Sequence, residues 1–322
     1  MNSTNSTNTH IFGPVPSRRL GLSLGVDLIP AKTCTFDCLY CEVGRTTNRT
    51  IQMRPYVPVN EVLEQLRQKL LVCRPDIITL AGSGEPTLHS EIDQVIDGIK
   101  AFTDTRIAVL TNGSLFWDEE IRRRVRGADV IMPTLSSAFD QTFKRIHRPH
   151  PELDLGTIIE GLKSLRREYQ GQLLLEVIFL AGINDTEEEK EALKDLIDKI
   201  SPDRIQINTV VRPPSDSRAK SLDRERLEEI KVLFGKNAEV IAGTPFGKDG
   251  LSGQSLAKSL LNTVKRRPLR AIDIVNSLDL DPDEVDDLIK GLLIKGYLRK
   301  QEHSGEIFYV SSEEGGIGGL RN

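Results

Sequence analysis

Thiols are scarce in this sequence: its 322 residues include four cysteines. Three of them crowd into one short run, so a disulfide-framed secreted scaffold is excluded. Charge of one sign is lacking too. The formal net charge is −4, and bulk electrostatics do not draw the chain toward nucleic acid or an anionic membrane. No apolar run approaches the roughly 18 residues that a membrane helix requires. The opening stretch Met1–His10 has neither an apolar core nor a basic start. It reads as a disordered polar tail over residues 1–10 and not as a signal peptide. Clustered cysteines without an export signal point to the reducing cytoplasm, where thiols bind metal. What remains is ordinary soluble-protein composition, with 38% hydrophobic and 28% charged residues, enough for one large domain with or without a small appendage.

Beyond the tail, short apolar runs alternate with amphipathic segments. Strands are expected near Leu24–Ile29, Ile77–Leu80, Ile107–Leu110, Val130–Leu135, Leu173–Leu180 and Ile205–Thr209, each apolar on both faces as buried parallel strands are. Helices are expected between them: from Val59 to Cys73 with Asn60 as cap, then near Glu91–Phe102, Asp118–Arg126, Leu155–Tyr169, Thr186–Ile200 and Leu222–Phe234. The helix from Thr186 begins Thr-Glu-Glu-Glu, a capping-box pattern. Six strand–helix repeats with right-handed crossovers predict an α/β fold, a partial (β/α)6 TIM-like barrel over residues 11–241. A Gly-rich linker follows at 242–253. Residues 254–311 then change period: three helices (Ser255–Lys265, Leu269–Leu278, Pro282–Lys295) and two short strands (Tyr297–Lys300, Glu306–Val310) predict a small C-terminal winged helix-turn-helix domain. The end of the chain, 312–322, reads as a flexible tail.

The chemistry concentrates in Cys34-Thr-Phe-Asp-Cys38-Leu-Tyr-Cys41. Three soft thiolates in one loop suit an iron–sulfur cluster or zinc and leave one coordination position open. Zinc would need a fourth protein ligand, and His10 and His89 are the nearest candidates by sequence. The loop follows the first strand, at the carboxyl end where parallel α/β folds place their chemistry. Other strand ends carry polar turns: Ala81-Gly-Ser83-Gly84-Glu85-Pro-Thr after the second and Leu110-Thr-Asn112-Gly after the third. Pro133-Thr-Leu-Ser136-Ser follows the fourth. Ile178 lies on the fifth, with Gln206 and Asn208 on the sixth. Each has a plain structural reading as turn or core. Cys73 falls at the opposite end of the barrel and reads as a buried structural thiol.

Cys-x3-Cys-x2-Cys with an aromatic before the last cysteine resembles the signature of the radical S-adenosylmethionine (SAM) superfamily, and the Gly-Ser-Gly-Glu-Pro turn resembles its Gly-Gly-Glu-Pro element. The resemblance implies that Cys34, Cys38 and Cys41 hold a [4Fe–4S] cluster whose fourth iron is chelated by S-adenosyl-L-methionine. Reductive cleavage would then give a 5′-deoxyadenosyl radical that abstracts hydrogen from a substrate. It further implies cofactor contacts from Ser83, Gly84 and Glu85 at the methionine end and from Tyr40 beside cluster or adenine. Asn112, Ser136 on the ribose side and Ile178 against adenine complete that set. An external one-electron donor such as flavodoxin or ferredoxin is implied as well.

The stretches Phe12–Gly21 and Phe143–Pro149 narrow the resemblance to the enzymes grouped with tRNA wyosine-base synthases. Arg18, Arg19, Lys144, Arg145 and Arg148 are then candidates for anion-binding charge at the barrel mouth. Wyosine enzymes carry extra N-terminal cysteines, absent before Cys34 here, so wyosine synthesis itself does not follow. The substrate class stays open among small molecule, peptide or protein, and RNA. Two alternatives accompany the enzyme reading: a tRNA-modifying enzyme, and a non-catalytic iron–sulfur regulator using its winged helix. The acidic third helix, with Asp281, Asp283, Glu284, Asp286 and Asp287, argues against reading DNA.

Overall fold

The computed structural model describes residues 9–241, 256–278 and 280–312. Residues 1–8 of the polar tail, the whole Gly-rich linker and residues 313–322 lie outside the described residues. The chain opens with an antiparallel hairpin of β1 (Ile11–Ser17) and β2 (Gly21–Val26). Two short parallel strands, β3 (Thr33–Cys34) and β4 (Asn48–Arg49), clamp the cysteine loop between them. Alternation then sets in: α1 (Val59–Leu70), β5 (Ile77–Leu80), α2 (Ile92–Lys100), β6 (Arg106–Thr111), α3 (Glu119–Val125), β7 (Val130–Pro133), α4 (Asp140–His147), α5 (Leu155–Glu168), β8 (Gln172–Phe179), α6 (Glu187–Ile200), β9 (Arg204–Thr209), α7 (Arg224–Phe234) and β10 (Ala238–Val240).

One sheet, in the order β1-β2-β5-β6-β7-β8-β9-β10, carries the molecule. Every pair from β2 to β10 is parallel. Among the described residues nothing pairs β1 with β10, so the sheet stays open, as a partial barrel does. Strands such as β5 and β7 are buried at every position, because helices cover one face and the opposite side chains fill the interior. The helices are held by single apolar stripes. In α2, Ile92, Val95, Ile96 and Ile99 are all buried. Each is worth about 1.5–3 kcal/mol on burial, well above the roughly 0.5 kcal/mol by which Ile or Val disfavours a helix.

All six expected strands are present. The sheet also contains two that were not expected. The β1 run Ile-Phe-Gly-Pro-Val-Pro-Ser reads as loop because of its prolines, yet proline is tolerated on an edge strand. A register shift between Phe12 and Val15 absorbs the Gly-Pro pair. Three residues of β10 are too few to show a period. Helix α4 was also missed. Two caps differ from expectation. Helix α1 starts behind Pro58 with no side-chain cap, so Asn60 does not serve. Thr186 does accept from the Glu189 N–H, but the Glu189 carboxylate turns away to Ser137 Oγ and the Ala138 N–H, both at 2.7 Å, leaving half a capping box.

A second hydrophobic cluster, separate from that of the barrel, gathers α8 (Leu256–Val264), α9 (Ala271–Leu278) and α10 (Pro282–Ile294) with the hairpin β11 (Leu298–His303) and β12 (Glu306–Ser311). Helix α10 has the full capping box, Asp281 with Glu284. This unit packs through α8 and α9 on β1, covering the edge of the sheet.

Candidate metal and cofactor site

The cysteine loop is pinned on two sides before any ligand is considered. Phe36 and Leu39, both buried, plug it into the barrel. The Asp37 and Leu39 N–H groups donate to the carbonyls of His147 and Ile146 at 2.9 Å. Asp37 accepts from the Thr46 N–H at 2.8 Å and pairs with Arg148 at 3.2 Å, while Arg148 also binds Asp216. Ser215 Oγ donates to the Cys38 carbonyl at 2.9 Å. Helix α4 thus serves as a wall for the loop, and its last residue reaches the thiols: His147 Nδ1 lies 3.3 Å from Cys38 Sγ and 3.4 Å from the Tyr40 hydroxyl. Burial drives the His147 pKa down to about 3, so the ring is neutral. Sequence reading quoted the Phe143–Pro149 stretch without giving His147 a role; its place between Arg145 and Arg148 in that stretch was the available signal.

The turns after β5 and β6 lock onto the same loop. Glu85 is buried and accepts from Thr87 N–H at 3.1 Å, Thr87 Oγ1 and Thr111 Oγ1 at 2.6 Å, and Asn112 N–H at 2.7 Å. Oε2 takes one of these four, leaving it capacity for another donor. Asn112 Nδ2 donates to Thr35 Oγ1 at 2.7 Å and lies 3.6 Å from Cys34 Sγ. Gly84 is glycine for a reason other than ligand approach: a Cβ there would sit 1.9 Å from the Thr33 carbonyl oxygen, against the cysteine loop itself. Ser83 gives its hydroxyl to Asp27 at 2.5 Å. Ser136 is fully buried and its oxygen accepts from the Ile178 N–H at 3.0 Å, tying β7 to β8. Of the other expected residues, Tyr40, Cys41 and Ile178 line a cavity of about 320 Å³ inside the barrel. Asn208 joins them there, whereas Gln206 pairs with Glu239 at 3.1 Å.

Among the charges expected at the mouth, Arg18 and Arg19 line the cavity. Arg148 is consumed by Asp37 and Asp216, and Lys144 pairs with Asp140 at 2.7 Å. Cys73 is buried, with its thiol donating to the Lys69 carbonyl at 3.2 Å on the α1 side.

A scan of protein families matches the radical SAM superfamily over residues 28–197. The chain belongs to the radical SAM superfamily. The superfamily uses a [4Fe–4S] cluster and S-adenosylmethionine. A UPF0026 protein of Methanocaldococcus jannaschii is 32% identical over 94% of this chain and 96% of its own length. A protein of Brachyspira hyodysenteriae named GTPase Obg is 36% identical over 93% of this chain, which spans only 45% of that relative. In structure the chain is similar to a radical SAM methyltransferase from Sphaerobacter thermophilus, with a TM-score of 0.52 and 18% identity over 68% of this chain and 65% of that one. That likeness concerns the fold.

The donor set fits such a cluster. Cys34, Cys38 and Cys41 are half-buried and free. Burial, and after it the neighbouring Glu85 carboxylate, pushes the Cys34 thiol up to about 12, and burial raises Cys38 and Cys41 as well. Thiolates gathered here need a cationic partner. Among the described residues no group of three or more His, Cys, Asp or Glu converges on a single metal ion. The zinc alternatives are engaged elsewhere, His10 with Glu61 at 3.5 Å and His89 with the Val57 carbonyl at 3.0 Å. Three soft thiols in one loop are the donor type that a cluster requires.

Proposed function

We propose that this protein is an enzyme that cleaves S-adenosylmethionine reductively and abstracts hydrogen from a substrate held in the barrel cavity. The supporting observation is the convergence of three strand ends on one loop. The cysteines follow β2, Glu85 follows β5 and Asn112 follows β6, with the cavity lined by Tyr40, Cys41 and Ile178 alongside. When bound, the cluster and S-adenosylmethionine would supply hydrogen-abstracting radical chemistry, with methionine as the by-product and an external donor providing the one electron consumed.

The chain's own residues do the rest. Cys34, Cys38 and Cys41 hold the cluster. Asn112 steadies the Cys34 thiolate through a donated hydrogen bond, which lowers the charge the sulfur must carry, and His147 sits within hydrogen-bonding distance of the Cys38 sulfur. Glu85 keeps one acceptor position for a cofactor ammonium, and the Gly84 backbone beside it is held against the cysteine loop. Tyr40 and Ile178 offer apolar surface to adenine. Ser83 and Ser136 act through Asp27 and through the Ile178 backbone, and not by direct contact with the cofactor. The boundaries of a barrel over 11–241 and a winged-helix unit over 254–311 belong to this reading, the unit serving as a cover that excludes water from the cavity. A cytoplasmic setting suits an oxygen-sensitive site.

Anaerobic reconstitution with iron and sulfide, followed by SAM and dithionite, tests the proposal. Formation of 5′-deoxyadenosine supports it; stoichiometric zinc with no cofactor cleavage rejects it.

A further inference from the structure

The cavity beside Cys41 has an unusual wall. Five arginines line it: Arg18 and Arg19 from the β1–β2 turn, Arg212 after β9, and Arg266 and Arg267 from the α8–α9 connection. Three have carboxylate partners. Arg19 meets Glu176 at 2.6 Å, Arg212 meets Glu42 at 3.0 Å, and Arg266 meets Asp27 at 2.7 Å. Among the described residues, Arg18 and Arg267 form no ion pair. Arg18 donates to the Asn208 side-chain Oδ1 and the Ile241 backbone oxygen at a long 3.4 Å. The Nε atoms of Arg267 and Arg212 are buried without a hydrogen-bond partner among the described residues.

These two guanidiniums are held at a cost. Burial pulls Arg18 down to about 10, with Arg212 adding to the effect and Glu42 opposing it. Burial likewise pulls Arg267 down to about 9, against the pull of Glu42 and Asp273. Both side chains are half-buried, and a partly desolvated cation without a carboxylate partner is disfavoured. The planar guanidinium fork matches carboxylate and phosphate oxygens in pairs. The two residues come from opposite ends of the chain and meet only in this cavity.

We infer that the cavity receives a small substrate through a dianionic group, a phosphate monoester or a dicarboxylate, gripped by Arg18 and Arg267. The inference rests on the proposed SAM chemistry for what happens next, and it specifies the substrate class of that same site. Two unpaired positive charges match two negative ones. A volume of about 320 Å³ suits a small molecule and not a polynucleotide. Because Tyr40, Cys41 and Ile178 line the same space, an anion held at the arginine wall keeps the remainder of the molecule next to the cysteine loop. The C-terminal unit thereby gains a role that DNA reading would not give it. Arg266 binds Asp27, stacks 5.1 Å over the Phe12 ring and donates to the Thr9 carbonyl, while His303 touches the Val210 carbonyl at 3.2 Å. The unit is fastened across the cavity and lends it two arginines.

Calorimetric titration of the reconstituted, SAM-bound protein without reductant is the test, with inorganic phosphate, pyrophosphate and succinate as probes. Saturable binding is expected. Preference for the phosphates identifies a phosphate monoester, and preference for succinate a dicarboxylate. Arg18→Met and Arg267→Met should each weaken that binding about tenfold or more, the loss expected for a charge-assisted contact, with SAM affinity kept within about twofold. The ligand-free melting temperature of Arg267→Met should not fall, since a half-buried cation without a carboxylate partner among the described residues is removed. Arg267→Lys, with the charge but not the fork, should bind between wild type and Arg267→Met. Absence of saturable binding by all three anions overturns the inference, as does wild-type affinity in the variants. Loss of SAM binding in their place overturns it too, because the arginines then serve the cofactor. Anion binding in a protein that forms no 5′-deoxyadenosine would reject the SAM chemistry and leave the anion site standing. SAM cleavage without anion binding would do the reverse.

Discussion

Two neighbourhoods inside the barrel treat buried polar groups in opposite ways. Around the cysteine loop, Glu85, Asn112, Thr35 and Asp37 each have hydrogen-bonding partners within the chain. Around the arginine wall the pairing is incomplete: of four buried side-chain atoms lacking a partner among the described residues, two are the Nε atoms of Arg212 and Arg267. Buried polar groups are normally satisfied, and exceptions need a reason. A satisfied network is rigid before its ligand arrives and suits a permanent cofactor. An unsatisfied wall suits a ligand that comes and goes.

Substitutions should separate the two neighbourhoods. The largest effect is expected at the thiols: Cys34→Ala, Cys38→Ala or Cys41→Ala should abolish stable cluster assembly, read as iron and acid-labile sulfide per chain after reconstitution. Gly84→Ala comes next, since its Cβ would meet the Thr33 carbonyl at 1.9 Å; a loss of about 3 kcal/mol is expected in urea denaturation. Arg148→Met strips Asp37, 5% exposed, of its nearer cation. It should cost about 2 kcal/mol, less than a fully buried pair because Thr46 and Arg45 remain beside Asp37. Against this, Arg267→Met should cost nothing in the same assay. Equal losses in the two arginine variants would erase the distinction. The smallest loss above zero is expected at Cys73→Ala, about 1 kcal/mol from a small buried group, with iron content unchanged.

Legibility in the sequence followed the physics. Six parallel strands were readable because strands buried on both faces are continuous apolar runs. The cysteine spacing is local, so the ligand set needed no fold. Strand β1 was hidden because its prolines argue against a strand until an edge position is known. The in-chain partners of Ser83 and Ser136 were hidden for a related cause: each hydroxyl sits at a strand end, and its partner, Asp27 or the Ile178 N–H, is brought from another element. The arginine wall was visible only in part. Arg18 and Arg19 drew notice as charge near the mouth, but about 250 residues separate them from Arg266 and Arg267. Only the packing of α8 and α9 on β1 joins them.

The most direct test is electron paramagnetic resonance of the anaerobically reconstituted, dithionite-reduced protein before and after addition of S-adenosylmethionine. A [4Fe–4S] signal whose g-values shift on adding SAM, and which is missing in Cys38→Ala, is the expected result. A cluster signal indifferent to SAM, or none in a fully loaded protein, would contradict an open iron at this loop.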